Sequence, residues 1–346
     1  MLELREPAGA FERIESWLRE RGFFAPGGEH LEADLYLGYG LSEPLRRTPV
    51  PAPPEPSPLP LAAVAVRGER GLVSDRHNLL SIGLWQRTWA DSDYAEAVGA
   101  VRAAIGRGDV YQVNLVQHLS APFEGDPAGL APLLRGFRPR TLAADGWSVV
   151  SASPELFLSR RGRHVRTCPI KGTRPLGEHV EGEKDAAEHV MIVDLERNDL
   201  SRVCEPGSVR WPELMAEREL AGVTHLVSTV EGTLREGVGL AELLDATFPG
   251  GSVTGAPKIA SLDLIAALEP VGRGASMGAL GTVRGNGDLD LALTIRTFAL
   301  AAGRIHLWVG GGIVWDSEPD AEVEESWTKA RPLLAAIGAP VEAAAR

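Results

Sequence analysis

The chain has 346 residues, 44% of them hydrophobic and 24% charged, enough for one large or two ordinary packed domains, which excludes disorder as its main state. Its 47 Asp and Glu outnumber 35 Lys and Arg, for a formal charge of −12, and no basic block is present, so nucleic acid is excluded as a natural partner. An anionic substrate would have to meet local cations or a bound metal.

The MLELREP start shows no secretory leader, and no early apolar run approaches the roughly 20 residues of a membrane helix. With only Cys168 and Cys204, this predicts a cytoplasmic protein without membrane insertion. Residues 1–47 begin with an amphipathic helix around Phe11, Ile14, Trp17 and Leu18, followed by a glycine-containing stretch from Leu35 to Gly40. Thr48 to Pro60 then carries seven prolines in thirteen residues, which predicts an extended surface connector because proline supplies no ladder donor. The chain thus divides into a short N-terminal part, residues 1–90, with a proline-rich loop at 48–60, and a main domain, residues 91–338.

In the main domain, helices are predicted over 94–105, 185–200, 240–248, 257–268 and 318–337. Strands are predicted over 110–119, 147–158 with a break at Pro154, 164–170, 279–283, 289–300 and 304–309. The apolar stripe of the 185–200 helix is Ala187, Val190, Met191 and Leu195. Gly285–Gly287 and Ala302–Gly303 read as hairpin turns. Strands and helices interspersed in this way predict an α+β fold, with large mixed or antiparallel sheets flanked by helices.

Several residues could carry chemistry. Glu188 shares a helical face with Met191, Ile192 and Leu195, so its carboxylate wants a cation. Glu322, Glu325 and Lys329 follow i, i+3, i+7 spacing on the last helix. Two carboxylate-bearing helices suit Mg²⁺, whose octahedral shell is usually one or two carboxylates plus waters and substrate oxygens. In the predicted 289–300 strand, Thr294 and Arg296 fall on one face, a hydroxyl beside a guanidinium suited to a carboxylate. Lys171 lies in PIKGT, where Gly172 allows close backbone approach.

Other motifs fail. FPGGSVTGAPK, Phe248 to Lys258, has Ala256 and Pro257 where a phosphate loop needs Lys and Ser or Thr; Pro257 reads instead as the first residue of a helix. The cysteines lack a nucleophile turn, and the His30/Glu32 and His179/Glu181 pairs lack the Cys-x-x-Cys of a zinc deaminase.

From Ser92 to Leu334 the sequence resembles the chorismate-utilising enzymes, the family of anthranilate synthase component I, aminodeoxychorismate synthase component I and isochorismate synthase. The strings that carry the resemblance are SPELF from Ser153, PIKGTRP from Pro169, AEHVMIVDLERNDLSRVCEPGSV from Ala187, HLVST from His225, FPGGSVTGAPK from Phe248, DLALTIRTF from Asp290 and GGGIVWDSEPDAEVEES from Gly310. The resemblance implies the chorismate-binding fold and a Mg²⁺ held by Glu188 and Glu325, with Asp185 and Glu322 in its outer shell. It further implies that Arg296 and the backbone near Gly310 and Gly312 bind a substrate carboxylate, that Gly172, Thr173, His225 and Lys329 line the ligand, and that Glu155 is the general acid for the leaving 4-hydroxyl.

Two positions choose among family members. Gln112 stands where water-adding members have a lysine base, which implies ammonia as nucleophile. Lys171 stands where the anthranilate and isochorismate types have alanine; in the aminodeoxychorismate type this lysine attacks C2 before ammonia attacks C4. The resemblance therefore implies 4-amino-4-deoxychorismate as product, a step toward 4-aminobenzoate and folate, with a class I glutamine amidotransferase subunit supplying ammonia. The alternatives are anthranilate synthesis and a silent relative that only binds ligand or amidotransferase. Ser276 and Thr282 replace family tyrosines, and the missing Leu-Leu-Glu-Ser string points away from tryptophan regulation. A free lysine is only about one part in a thousand neutral near neutral pH, a penalty on the order of 4 kcal/mol for attack. A protonated Glu155 would ease that conflict and suit an acid.

Overall fold

In a computed structural model, the described residues are 1–68, 80–175, 183–220 and 223–339. They form two antiparallel sheets laid face to face. The larger, 10-stranded sheet runs in the order Leu2–Leu4, Ala62–Val66, Glu32–Leu37, Ala279–Arg284, Leu289–Leu293, Leu156–Arg161, His164–Cys168, Val223–Thr233 and Ile170–Pro175, with Arg210–Leu220 also paired to Val223–Thr233. The N-terminal strands therefore extend the same sheet as strands from the main part of the chain. The 8-stranded sheet runs Gly255–Ala256, Gln112–Glu124, Arg304–Ile313, Thr297–Ala301, Trp147–Ser151 and Arg140–Ala144, with two short strands at Ser81–Ile82 and Gln86–Arg87 paired to Gln112–Glu124.

Side-chain alternation explains the packing. Val116 and Val149 from one sheet meet Leu35, Leu158 and Leu291 from the other in a shared core. On the outer face of the 8-stranded sheet, Leu119, Phe298 and Leu307 bury Trp327, Leu333 and Leu334 of the Pro319–Ala336 helix. Val113, Leu115 and Ile313 bury Tyr94, Val98 and Val101 of the Asp91–Arg107 helix. Covered on both faces, Gln112–Glu124 is almost wholly buried. The Ala10–Arg19 helix buries Ala10, Ile14 and Leu18, the period read from the sequence. No helix among the described residues is long and apolar enough to cross a membrane.

Four expectations change. The proline-rich segment is anchored: Asp263 Oδ1 accepts from the amides of Arg47 and Thr48 at 3.0 and 3.1 Å, and Pro54 O and Glu55 Oε2 accept from Gly272 N and Gly274 N, each at 2.9 Å. In the Glu183–Ser201 helix the buried face carries His189, Ile192, Val193, Glu196 and Leu200, whereas Val190 is exposed. The stripe is displaced because two polar side chains, His189 and Glu196, take core positions. Pro257 is the N-cap of the Lys258–Leu268 helix rather than its first residue.

The fourth change is the largest. The predicted strands 147–158 and 289–300 are each two strands, one in either sheet, and the chain crosses between sheets at residues 152–155 and 294–296. The two crossings are tied together: Ala152 N donates to Arg296 O and Leu293 N to Glu155 O, each at 3.0 Å. Thr294 is fully buried and its Oγ1 accepts from Gly278 N at 2.7 Å, while Arg296 takes a left-handed φ of 50°. Thr294 and Arg296 therefore do not present a common strand face. Thr294 closes the crossing, and Arg296 is aimed by it.

Candidate active site

The crossings set Glu155 and Arg296 in the gap where the sheets part. Glu155 is only 4% exposed; its Oε1 accepts from Ser252 Oγ at 2.7 Å and from Ile170 N at 3.4 Å. Burial pushes its carboxyl up from the ordinary range, against the Ser252 hydrogen bond and the charges of Lys171 and Arg296. Burial likewise pulls the Arg296 guanidinium down, with Glu155 opposing.

Lys171 enters from the Ile170–Pro175 strand. Gly172 has a φ of 62° and breaks the register between Lys171 and Thr173, a bulge that re-aims the lysine. Lys171 Nζ stands 4.0 Å from Glu188 Oε2, both side chains 13% exposed. His225, opposite Thr173 in the neighbouring strand, shares a hydrogen bond between its Nδ1 and Gly172 O at 3.1 Å. The side chains of Thr173 and Asp185 lie outside the described residues, as does the His179/Glu181 pair.

Gly310–Gly312 organises the rest. Gly310 pairs with Val116 and Gly312 with Asn114, so both face the inter-sheet gap beside Gln112. A Cβ at Gly312 would lie 2.2 Å from Gln112 Nε2 and 3.2 Å from Lys171 Nζ, which places the amide and the amine side by side over that glycine. Gln112 is fully buried, and neither end of its amide has a hydrogen-bond partner among the described residues. A Cβ at Gly311, which points the other way, would meet Glu325 Oε1, Glu322 Oε2 and Lys329 Nζ at 3.2, 3.3 and 3.4 Å. Lys329 Nζ donates to Gly310 O at 2.8 Å and pairs with Glu325 at 2.7 Å.

The structure thus gathers Gln112, Glu155, Lys171, Gly172, Glu188, His225, Arg296 and Gly312 on the gap side of the glycine strand, and Glu322, Glu325 and Lys329 on its other side. Glu188 meets Lys171, whereas Glu325 meets Lys329. Among the described residues, no group of three or more His, Cys, Asp or Glu side chains is gathered closely enough to hold a metal.

Sequence reasoning missed three contributors. Ser252 holds Glu155, yet sits in a string read only as a failed phosphate loop. His189 is fully buried with neither ring nitrogen partnered among the described residues, and burial, with the charge of Lys171, pulls its imidazole down to about 4. Arg273, 2% exposed, donates to Glu269, Val253 O and Asn114 O, clamping the Ser252 turn to the strand that carries Gln112. None of these has a sequence signal, because each depends on contacts between distant segments.

Comparison with known proteins gives the family of the chain. The chain is 42% identical over 268 residues to anthranilate synthase component 1 of Thermus thermophilus, covering 73% of this chain and 58% of the relative. It is 41% identical over 269 residues to the Streptomyces coelicolor protein of the same name, covering 73% and 53%, and 40% identical over 270 residues to aminodeoxychorismate synthase component 1 of Klebsiella aerogenes, covering 72% and 59%. It therefore spans little more than half the length of these relatives. Anthranilate synthase component I of Streptococcus pneumoniae superposes with a TM-score of 0.75 at 28% identity, over 87% of this chain and 80% of that one. The family model described as chorismate binding enzyme matches residues 62–335, which take in the 8-stranded sheet, the 10-stranded sheet apart from Leu2–Leu4 and Glu32–Leu37, both crossings and the glycine strand. The chain belongs to the chorismate binding enzyme family.

Proposed function

We propose that this chain converts chorismate and ammonia to 4-amino-4-deoxychorismate, as the synthase component of a two-component enzyme. The single observation that carries this reading is the position of Lys171, a largely buried amine beside Gln112 over Gly312 and coupled to Glu155. Its Nζ attacks C2 of the ring, the double bonds shift, and the C4–O bond breaks as Glu155 delivers a proton to the departing hydroxyl. Ammonia then attacks C4, the bonds shift back, the C2–N bond breaks, and a proton from the incoming amine ends on the lysine. Covalent capture divides one hard substitution into two easier ones and keeps the new amine at C4. The neutral amide of Gln112 supports ammonia rather than water as nucleophile. Arg296 would take one substrate carboxylate.

Mg²⁺ belongs to the same proposal. Glu188 and Glu325 would hold it, with Asp185 and Glu322 outside them; carboxylates are ordinary donors for this ion, but in this structure Glu188 pairs with Lys171 and Glu325 with Lys329, so both would have to turn from those lysines to share it. When bound it would neutralise a substrate carboxylate. That relatives are named component 1 supports a partner; we take it to be a class I glutamine amidotransferase subunit. A second reading, amination at C2 with release of pyruvate to give anthranilate, is favoured by the two anthranilate synthase relatives at 41% and 42% identity.

Mass spectrometry of the product from chorismate, Mg²⁺ and alkaline ammonium tests the reading. Aminodeoxychorismate supports it; anthranilate with pyruvate replaces it by the second. Chelation with EDTA is expected to remove both turnover and the rise in Tm that chorismate causes, and added Mg²⁺ to restore both. Gly312→Ala should push the Gln112 amide aside and cut turnover by about tenfold or more. Because the atoms displaced are the ends of side chains, its Tm should fall by no more than about 3 °C. An unchanged rate would show that Gln112 has no part in the site.

A further inference from the structure

Two glycines flank the arginine that clamps the site. Arg273 reaches Val253 O at 2.9 Å, Asn114 O at 2.6 Å and both Glu269 oxygens at 2.7 and 2.8 Å. Gly272 and Gly274 on either side leave its backbone free to rotate, and Gly274 takes a left-handed φ of 49°. The proline-rich segment binds the amides of both. Pro54 O accepts from Gly272 N and Glu55 Oε2 from Gly274 N, each at 2.9 Å. The Glu55 carboxyl lies where a side chain on Gly272 would stand, since a Cβ there would be 2.4 Å from both Glu55 Cδ and Oε1. Upstream, Asp263 fixes the segment at Arg47 and Thr48, and its prolines stiffen the chain between, so carbonyl and carboxyl are presented by a strap with little freedom to lose.

The contacts continue inward. Val253 follows Ser252, whose hydroxyl donates to Glu155 Oε1 at 2.7 Å, and Asn114 pairs with Gly312 on the strand that also carries Gln112. Resting on the functional reading above, we infer that Glu55 is a positioning residue for the acid Glu155: by binding the Gly272–Gly274 loop it holds Arg273 on Val253 O, and so keeps the Ser252 hydroxyl on the Glu155 carboxyl. Three hydrogen bonds link the two glutamates, from Gly274 N to Glu55, from Arg273 to Val253 O and from Ser252 to Glu155, each joined to the next through adjacent residues of the backbone. Glu55 acts through Arg273 rather than on the ring itself. Without its carboxyl, Gly274 N loses its acceptor and the arginine is carried on a loop of two unrestrained glycines. The Ser252 turn then moves more freely, and a proton donor displaced by a fraction of an ångström delivers its proton more slowly.

The test compares Glu55→Ala with Glu55→Gln, whose side-chain oxygen can still accept from Gly274 N. Hydrogen exchange of the full chain without substrate, read by mass spectrometry, should show residues 250–256 exchanging about fivefold faster or more in Glu55→Ala and close to the wild-type rate in Glu55→Gln, with the strand at 147–151 unchanged in both. In turnover of chorismate with ammonium and Mg²⁺, Glu55→Ala should lose about tenfold in kcat with KM within about twofold, and Glu55→Gln should keep at least about half of the wild-type kcat. The Tm of Glu55→Ala should fall by no more than about 2 °C, since one exposed hydrogen bond is lost. Gly272→Ala breaks the same contact from its other side, and combined with Glu55→Ala it should cost no more than either alone. Unchanged exchange over 250–256 in Glu55→Ala and Gly272→Ala overturns the proposal, and so do equal losses of kcat in Glu55→Ala and Glu55→Gln. A chain that turns over no chorismate would overturn the functional reading, and the assigned role with it, while the hold of the strap on the Ser252 turn would still be read separately from the exchange.

Discussion

Lys171→Ala is expected to lower 4-amino-4-deoxychorismate formation by about a thousandfold or more in kcat, with a Tm close to that of the wild type. The size follows from what the amine does. Without it, ammonia must displace the 4-hydroxyl in one step, and the effective concentration of a tethered nucleophile is lost, a contribution of several kcal/mol. The stability should change little because, among the described residues, the ion pair of Lys171 is a 4.0 Å contact to Glu188, longer than a hydrogen bond. Removing the amine leaves Glu188, 13% exposed, without that cation, but at 4.0 Å the pairing lost is longer than a hydrogen bond and correspondingly weak. Product analysis separates the outcomes. Loss of product, or a change to amination at C2, fits a covalent lysine. Retention of the same product at a rate within about threefold of wild type would show that Lys171 does not attack the ring.

The largest loss of stability should follow Glu269→Ala. Arg273 and Glu269 are 2% and 5% exposed and joined by two hydrogen bonds, at 2.7 and 2.8 Å. Glu269 Oε1 also accepts from Val116 N at 3.0 Å, and Arg273 stacks on the Tyr39 ring, 4.5 Å from its centroid. Beside Glu269, the Arg273 guanidinium is held firmly protonated. Deleting one partner strands the other charge in the core, at a cost of about 3–5 kcal/mol. For a chain of this size that corresponds to a Tm lower by roughly 4–7 °C. The double variant Glu269→Leu/Arg273→Met should recover part of the loss, since no buried charge remains unpaired. Activity should not recover with it, because the clamp between the Ser252 turn and the strand bearing Gln112 is absent in both. A single variant costing less than about 1 kcal/mol would show that the pair does not sit buried as a charged unit.

The same two levels separate what was legible in the sequence from what was not. Periodicity sufficed for the Ala10–Arg19 and Asp91–Arg107 helices, and for the strands from Gln112 and Arg304, because apolar spacing reports which face an element buries. The long motif strings sufficed for the family. Composition and spacing could not show that the strands around Pro154 and Thr294 change sheets, since both halves of each run carry apolar residues and are mostly buried. Those crossings decide where Glu155 and Arg296 stand, and they make the adjacent Thr294 part of the frame. Likewise Gln112, Lys171 and Glu188 come from three elements far apart in the chain, and only the absence of a side chain at Gly312 lets two of them meet there. A side chain's own type and neighbours in sequence determine its chemistry and the element it joins. Its partners, its burial and hence its readiness to hold or give a proton are properties of distant segments packed against it, which the tertiary structure alone decides.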